Sequence, residues 1–140
     1  MIKITLPVFV KKHYKTKKDK NIYINLNNYR NRNRFLEHEI KESYQKIVIE
    51  KIRDKNISTI ETPLYIKYIL YVWDKRLKDT NNILCIADKY VSDALVEWNF
   101  IEDDNYNFIK DTRFRFWWFD KGNARIEVEI YSDEDMFLNS

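Results

Sequence analysis

Two groups of acids flank one amphipathic stretch of this 140-residue chain. Asp79 precedes the stretch, and Asp103 and Asp104 follow it in Ile101-Glu102-Asp103-Asp104-Asn105. If the 100–105 segment folds back across the strand ends, Asp79 and Asp104 can share a divalent cation. Carboxylate oxygens suit magnesium or manganese. Such a cation activates a water and offsets charge on a leaving oxygen, which is the chemistry of phosphodiester hydrolysis. The same residues also have plain structural uses, Asp79 as a helix N-cap and Asp103 and Asp104 in a turn. Lys89 lies between the two groups. Asn82, Ile86, Lys89 and Asp93 fall at i, i+4, i+7 and i+11 and so share one helix face. Lys89 is then either the i,i+4 partner of Asp93 or a cation beside a scissile phosphate. Other metal chemistry is excluded by composition. Cys85 is the only cysteine, and His13 and His38 are the only histidines. That leaves no internal disulfide and no zinc site built from cysteines. Gly122 is the only glycine, which rules out a glycine-rich phosphate loop.

The charge is divided along the chain. Residues 1–34 carry ten Lys and Arg against a single acid, Asp19, a balance of +9. The whole chain is +3, so the remaining 106 residues stand at −6. A basic arm on a mildly acidic body is the electrostatic footprint of a nucleic-acid binder. The arm comprises Lys11, Lys12, Lys15, Lys17, Lys18, Lys20, Arg30, Arg32 and Arg34, interleaved with Tyr14, Tyr23, Tyr29 and six asparagines. Lysine and arginine neutralise phosphates, while asparagine and tyrosine hydrogen-bond sugars and bases. The alternative is a solvated basic loop with no partner.

The elements that must position these residues follow from periodicity. Ile2, Ile4, Leu6 and Val8 alternate with polar positions as an opening strand, which Pro7 ends or confines to an edge. Residues 11–32 are polar without period and read as a long functional loop. Leu36, Ile40, Tyr44, Ile47 and Ile52 mark a helix over 33–53, with Asn33 as its cap. The run 64–73 is β-branched and aromatic on both faces, which predicts a central strand. Residues 74–78 read as a charged turn. Ile83, Ile86, Tyr90, Val91, Leu95 and Trp98 mark a second helix over 80–98. Strands over 109–118 and 124–131 are expected to form a hairpin through Asp120-Lys121-Gly122-Asn123. The acidic residues 132–140 read as a mobile tail. The order β–α–β–α–β–β predicts one α/β domain over 1–131, with a mixed sheet of about four strands and two helices.

The same positions resemble a known family. The set Asp79-Thr80-Asn81-Asn82, then Lys89 with Asp93-Ala94-Leu95, then Asp103-Asp104, is similar to the D-x-D-N…K-x-x-x-D-A-L…D-D signature of the RusA family of Holliday-junction endonucleases. The branch it resembles is commonly carried by phages and prophages. Ile4-Thr5-Leu6-Pro7, Leu26-Asn27-Asn28-Tyr29-Arg30-Asn31 and the strand at 125–130 resemble that branch too. The likeness spans nearly the whole chain apart from 11–20 and the acidic tail. It implies a homodimer that binds four-way DNA junctions and nicks them symmetrically with magnesium or manganese. Carried over, the metal ligands are Asp79, position 81 and Asp104, and Lys89 is the helix lysine. Position 81 departs from the pattern, because Asn81 is a neutral ligand where the family has an acid. A site with less negative charge binds metal more weakly. Asp103 or Asp88 are the acids able to replace it. The stretch between Asn82 and Lys89 is also about one helical turn longer than the family pattern.

Two functions are therefore expected. One is a magnesium-dependent crossover-junction endonuclease. The other is a branched-DNA-binding protein of the same fold with weak or lost catalysis. The strand-like N-terminus, with its lysines after the apolar run, argues against a signal peptide and for the cytoplasm. No apolar run reaches the roughly 18 residues of a membrane span.

Overall fold

The computed structural model describes residues 1–74 and 79–140. Its elements are β1 (Ile2–Leu6), β2 (Phe9–Lys12), β3 (Lys20–Tyr23), α1 (Leu26–Asn31), α2 (Arg34–Arg53), β4 (Leu64–Val72), α3 (Thr80–Glu97), β5 (Ile109–Phe119), β6 (Arg125–Tyr131) and α4 (Glu134–Leu138). The main sheet has the order β1-β6-β4-β5, and β2 and β3 form a separate hairpin. This is the expected α/β domain with a mixed four-stranded sheet and two main helices.

β4 is the axis of that sheet. Leu64, Ile66, Tyr68 and Leu70 are fully buried toward the main core, and Tyr65, Lys67 and Ile69 are buried on the opposite face. A strand walled on both faces needs this near-continuous apolar run. Two helices supply one wall. α2 buries Ile40, Tyr44, Val48, Ile49 and Ile52, at helical spacing. Its N-cap is Asn33, whose side chain accepts from the Leu36 amide at 2.8 Å. α3 buries Ile83, Leu84, Ile86, Ala87, Tyr90, Val91, Ala94 and Leu95. The Tyr44 and Tyr90 rings meet at 5.5 Å between the helices. Two stripe positions differ from expectation. Ile47 is only partly buried, and Trp98 is the C-cap of α3, half exposed, with the Arg53 guanidinium 5.1 Å from its ring. Among the described residues, no helix is long and apolar enough to cross a membrane.

Three expectations are corrected. The strands β5 and β6 do not form a hairpin. β4 lies between them, parallel to β5 and antiparallel to β6. A strand–helix–strand unit favours parallel pairing of its two strands, so β5 takes one edge of β4 and β6 is left with the other. The connecting turn crosses the end of β4, where the Asp120 amide donates to the Val72 carbonyl at 2.9 Å. Gly122 sits in this turn at φ 78°, where a side chain would be strained. Second, the supposed long loop 11–32 holds most of the β2–β3 hairpin and all of α1, and only 13–19 connects the paired strands. Third, the acidic tail is folded. Phe137 of α4 is fully buried, with its ring 5.3 Å from Tyr65 and 5.8 Å from Tyr131. It covers the face of β4 that α2 and α3 leave open. Of the expected charged turn at 74–78, residues 75–78 lie outside the described residues.

Candidate nucleic-acid interface

Apolar contacts root the basic hairpin and let its lysines project. Val10 and Ile22 are buried in the core. Tyr23 packs against Phe9 at 5.6 Å and against Trp73, just past β4, at 5.0 Å. The hairpin therefore stands at the end of β4 from which the chain leads toward Asp79. Inside the connecting loop, His13 and Asp19 meet at 2.8 Å. Lys11, Lys15, Lys17, Lys18 and Lys20 are exposed, and none of them forms an ion pair among the described residues. Lys17 lies 4.2 Å from the Tyr14 ring. Lys12 differs, because it is bonded to the Glu39 carboxylate of α2. Arg30 and Arg34 are exposed.

The asparagines divide into two sets. Asn25 caps α1 through the Asn28 amide, Asn28 donates to the Tyr23 carbonyl at 2.7 Å, and Asn33 caps α2. These three hold the backbone. Asn21, Asn27 and Asn31 remain exposed. Arg32, expected among the phosphate-contacting cations, is instead turned inward. Its side chain is 4% exposed, and its Nε donates to the Asn28 carbonyl.

The acids expected to share a cation flank α3 in the chain, Asp79 before it and Asp104 after it. Asp79 is its N-cap, with Oδ1 accepting from the Asn81 amide at 3.0 Å and the Asn82 amide at 3.3 Å. Asn81 is exposed in the first turn and Asn82 is half-buried beside it. Asp103 accepts from the Asp104 amide at 2.7 Å and from the Asn105 side chain at 2.9 Å, as a turn residue does. Asp104 folds back along the helix, and the charges that act on it are those of Asp103 and Asp93. Desolvation, then Asp103, then Asp93, hold its carboxyl above the usual range. Asp88 is likewise raised, chiefly by burial and further by Asp104 and Asp93. The Tyr68 and Ser92 hydroxyls, at 2.8 and 3.0 Å, oppose that rise. From Asp79 to Asp88 the helix advances about 13 Å, at ~1.5 Å per residue. Lys89 is 3.7 Å from Asp93, and Lys41 of α2 reaches Asp93 and Glu97, each at 3.2 Å.

One oxygen of Asp79 holds helix amides, and Asp104 faces the acids of mid-α3. Among the described residues, no three His, Cys, Asp or Glu side chains converge as metal ligands. Asp88, considered as the replacement acid, accepts both hydroxyls on Oδ1. The feature that sequence reasoning missed is the inward group of Arg32, Glu37 and Tyr90. Tyr90 donates to both Glu37 oxygens at 3.0 Å, and Arg32 Nε lies 3.4 Å from Glu37. Nothing in a basic, asparagine-rich run marks one arginine as buried.

No family model matches the chain, and no protein of curated function matches it.

Proposed function

We propose that this chain binds branched DNA through the basic hairpin and the adjoining α1–α2 corner, as a homodimer. The observation that carries the reading is the hairpin itself. Five exposed lysines free of ion pairs among the described residues are carried by this hairpin, Lys11 and Lys20 on strands anchored in the core and Lys15, Lys17 and Lys18 on the loop that joins them. Rigidly presented cations neutralise phosphates at a smaller ordering cost than a floppy arm. The resemblance to RusA-type junction endonucleases supports a four-way junction as the substrate. Asn81, a neutral ligand where the resembled family has an acid, supports binding over cleavage.

A second reading is the magnesium- or manganese-dependent endonuclease of that resemblance. What favours it is that Asp104 and Asp93 raise the Asp88 carboxyl beyond the effect of its burial, and Asp103 and Asp93 raise that of Asp104. A cation relieves repulsion of this kind.

One experiment separates the two. A labelled four-way junction, a linear duplex and a single strand are titrated with protein, then incubated with magnesium or manganese. Tight junction binding without nicking supports the first reading. Metal-dependent symmetric nicking establishes the second, and equal weak binding to all three DNAs defeats both.

A further inference from the structure

Arg32 presents an unusual deficit. Its side chain is 4% exposed, yet Nη1 and Nη2 are buried with no hydrogen-bond partner among the described residues. Among the described residues, the groups serving the guanidinium are the Asn28 carbonyl, at 2.8 Å from Nε, and Glu37, at 3.4 Å from Nε and shared with the Tyr90 hydroxyl. A guanidinium carries five N–H donors, and four of them are on Nη1 and Nη2. Burying such donors without acceptors is costly.

Arg32 also forms part of the wall of a cleft of about 480 Å³ between β3, α1 and the first turn of α2. Lys20, Asn31, Asn33 and Tyr14 share that wall, and no acidic side chain among the described residues lines it. Asn33 is the N-cap of a twenty-residue helix, so the positive end of that helix adjoins the cleft. A buried planar fork, a lysine, side-chain amides and a helix N-terminus together match a group with several anionic oxygens.

We propose that this cleft is a phosphate-binding site in which Arg32 is the recognition residue. The site deepens the DNA-binding reading above and rests on it for one source of the phosphate, the DNA backbone. The other source is a free phosphate. The cleft has room for a phosphate together with the sugar that carries it.

The test uses the full chain. Inorganic phosphate is titrated calorimetrically and in thermal denaturation against sodium chloride of equal ionic strength. The same titrations are run on Arg32→Lys and on Lys20→Ala, a variant on the exposed rim, with circular dichroism confirming each fold. Phosphate should bind the wild type and raise its Tm above the chloride control. Arg32→Lys should weaken binding tenfold or more, since a lysine keeps the charge but loses the fork. Lys20→Ala should weaken it a few-fold, even if Arg32→Lys fails to fold. Equal Tm in phosphate and chloride, or unchanged affinity in both variants, overturns the site. Competition between phosphate and a labelled junction, with junction binding weakened in Arg32→Lys, assigns the source to the DNA backbone. Phosphate binding lost in Arg32→Lys while junction binding is unchanged supports the site and assigns it to free phosphate. Phosphate binding by a chain that binds no DNA supports the site and defeats the DNA-binding reading alone.

Discussion

The Tyr68 hydroxyl of β4 donates to Asp88 Oδ1 of α3 at 2.8 Å, and Ser92 donates to the same oxygen at 3.0 Å. Two hydroxyls thus tie one carboxylate oxygen between the central strand and its crossover helix. Tyr68→Phe should cost roughly 1.5–3 kcal/mol, the scale of a hydrogen bond to a charged group, read from chemical denaturation.

Asp88 also makes stability depend on pH. Burial first, then Asp104 and Asp93, hold its pKa above the ordinary carboxylate value of 3.8 in the folded state. The folded state therefore binds this proton more tightly than the unfolded state does. Its contribution is fully present below the ordinary value and is lost as pH rises through the raised one. Asp88→Asn keeps the oxygen that both hydroxyls use and removes the titration. Relative to wild type, the variant should show a flatter fall in Tm above pH 4. A parallel pair of Tm–pH curves would show that Asp88 does not titrate differently on folding.

Phe137 makes a sharper demand on the fold. It is fully buried against Tyr65 and Tyr131, with the Arg113 guanidinium 4.5 Å from its ring. Phe137→Ala should cost about 3–5 kcal/mol, as expected for emptying a buried aromatic site. A loss under 1 kcal/mol would show that α4 packs only loosely on the sheet.

These two sites show where the sequence is readable. β4, α2 and α3 are legible because Leu64 to Val72 is apolar on both faces and because Asn33 and Asp79 announce helix starts. The pairing of β5 and β6 is not, because Gly122 signals a turn without saying which strands it joins. The tail hides its role in composition. Six of its nine residues are polar or acidic, and the one that decides its fate is Phe137. Lys12 and Arg32 look like their neighbours in sequence, and only the fold sets them against Glu39 and Glu37.

Asp79 separates a capping role from a metal role. Aspartate and asparagine cap helices about equally, whereas alanine loses about 1 kcal/mol. Asp79→Asn should therefore leave stability and junction binding unchanged, and Asp79→Ala should lower stability alone. Chelation of divalent ions should change neither Tm nor affinity. If the protein nicks junctions and Asp79→Asn stops it, Asp79 is a ligand and the endonuclease reading holds. Should Asn81→Asp then raise the nicking rate, position 81 takes part in the metal site.

Dimerisation has a physical candidate in β5, an edge strand of the main sheet. Phe116 and Trp117 are 46% and 50% exposed on it, while Phe119 packs partly against the core and the Trp118 side chain lies outside the described residues. A long edge with exposed aromatics invites a second copy. Sedimentation should show a dimer at micromolar concentration, weakened tenfold or more by Trp117→Lys. A monomer with and without DNA would remove the symmetric arrangement.

The hairpin lysines should govern the salt dependence of binding. Each phosphate neutralised on duplex DNA contributes about 0.9 to the log–log slope of affinity against salt. Lys11, Lys15, Lys17, Lys18 and Lys20 are exposed and carry no ion pair among the described residues, so replacing all five with glutamine should reduce the slope by up to about 4.5. Lys12 is already bonded to Glu39, so Lys12→Gln alone should barely move the slope. The contrast makes the test specific to the interface rather than to net charge. If the five-lysine variant keeps the wild-type slope, the hairpin does not touch DNA. If Lys12→Gln lowers the slope as much as any other single lysine, Glu39 releases it on binding and the whole strand pair tracks the backbone.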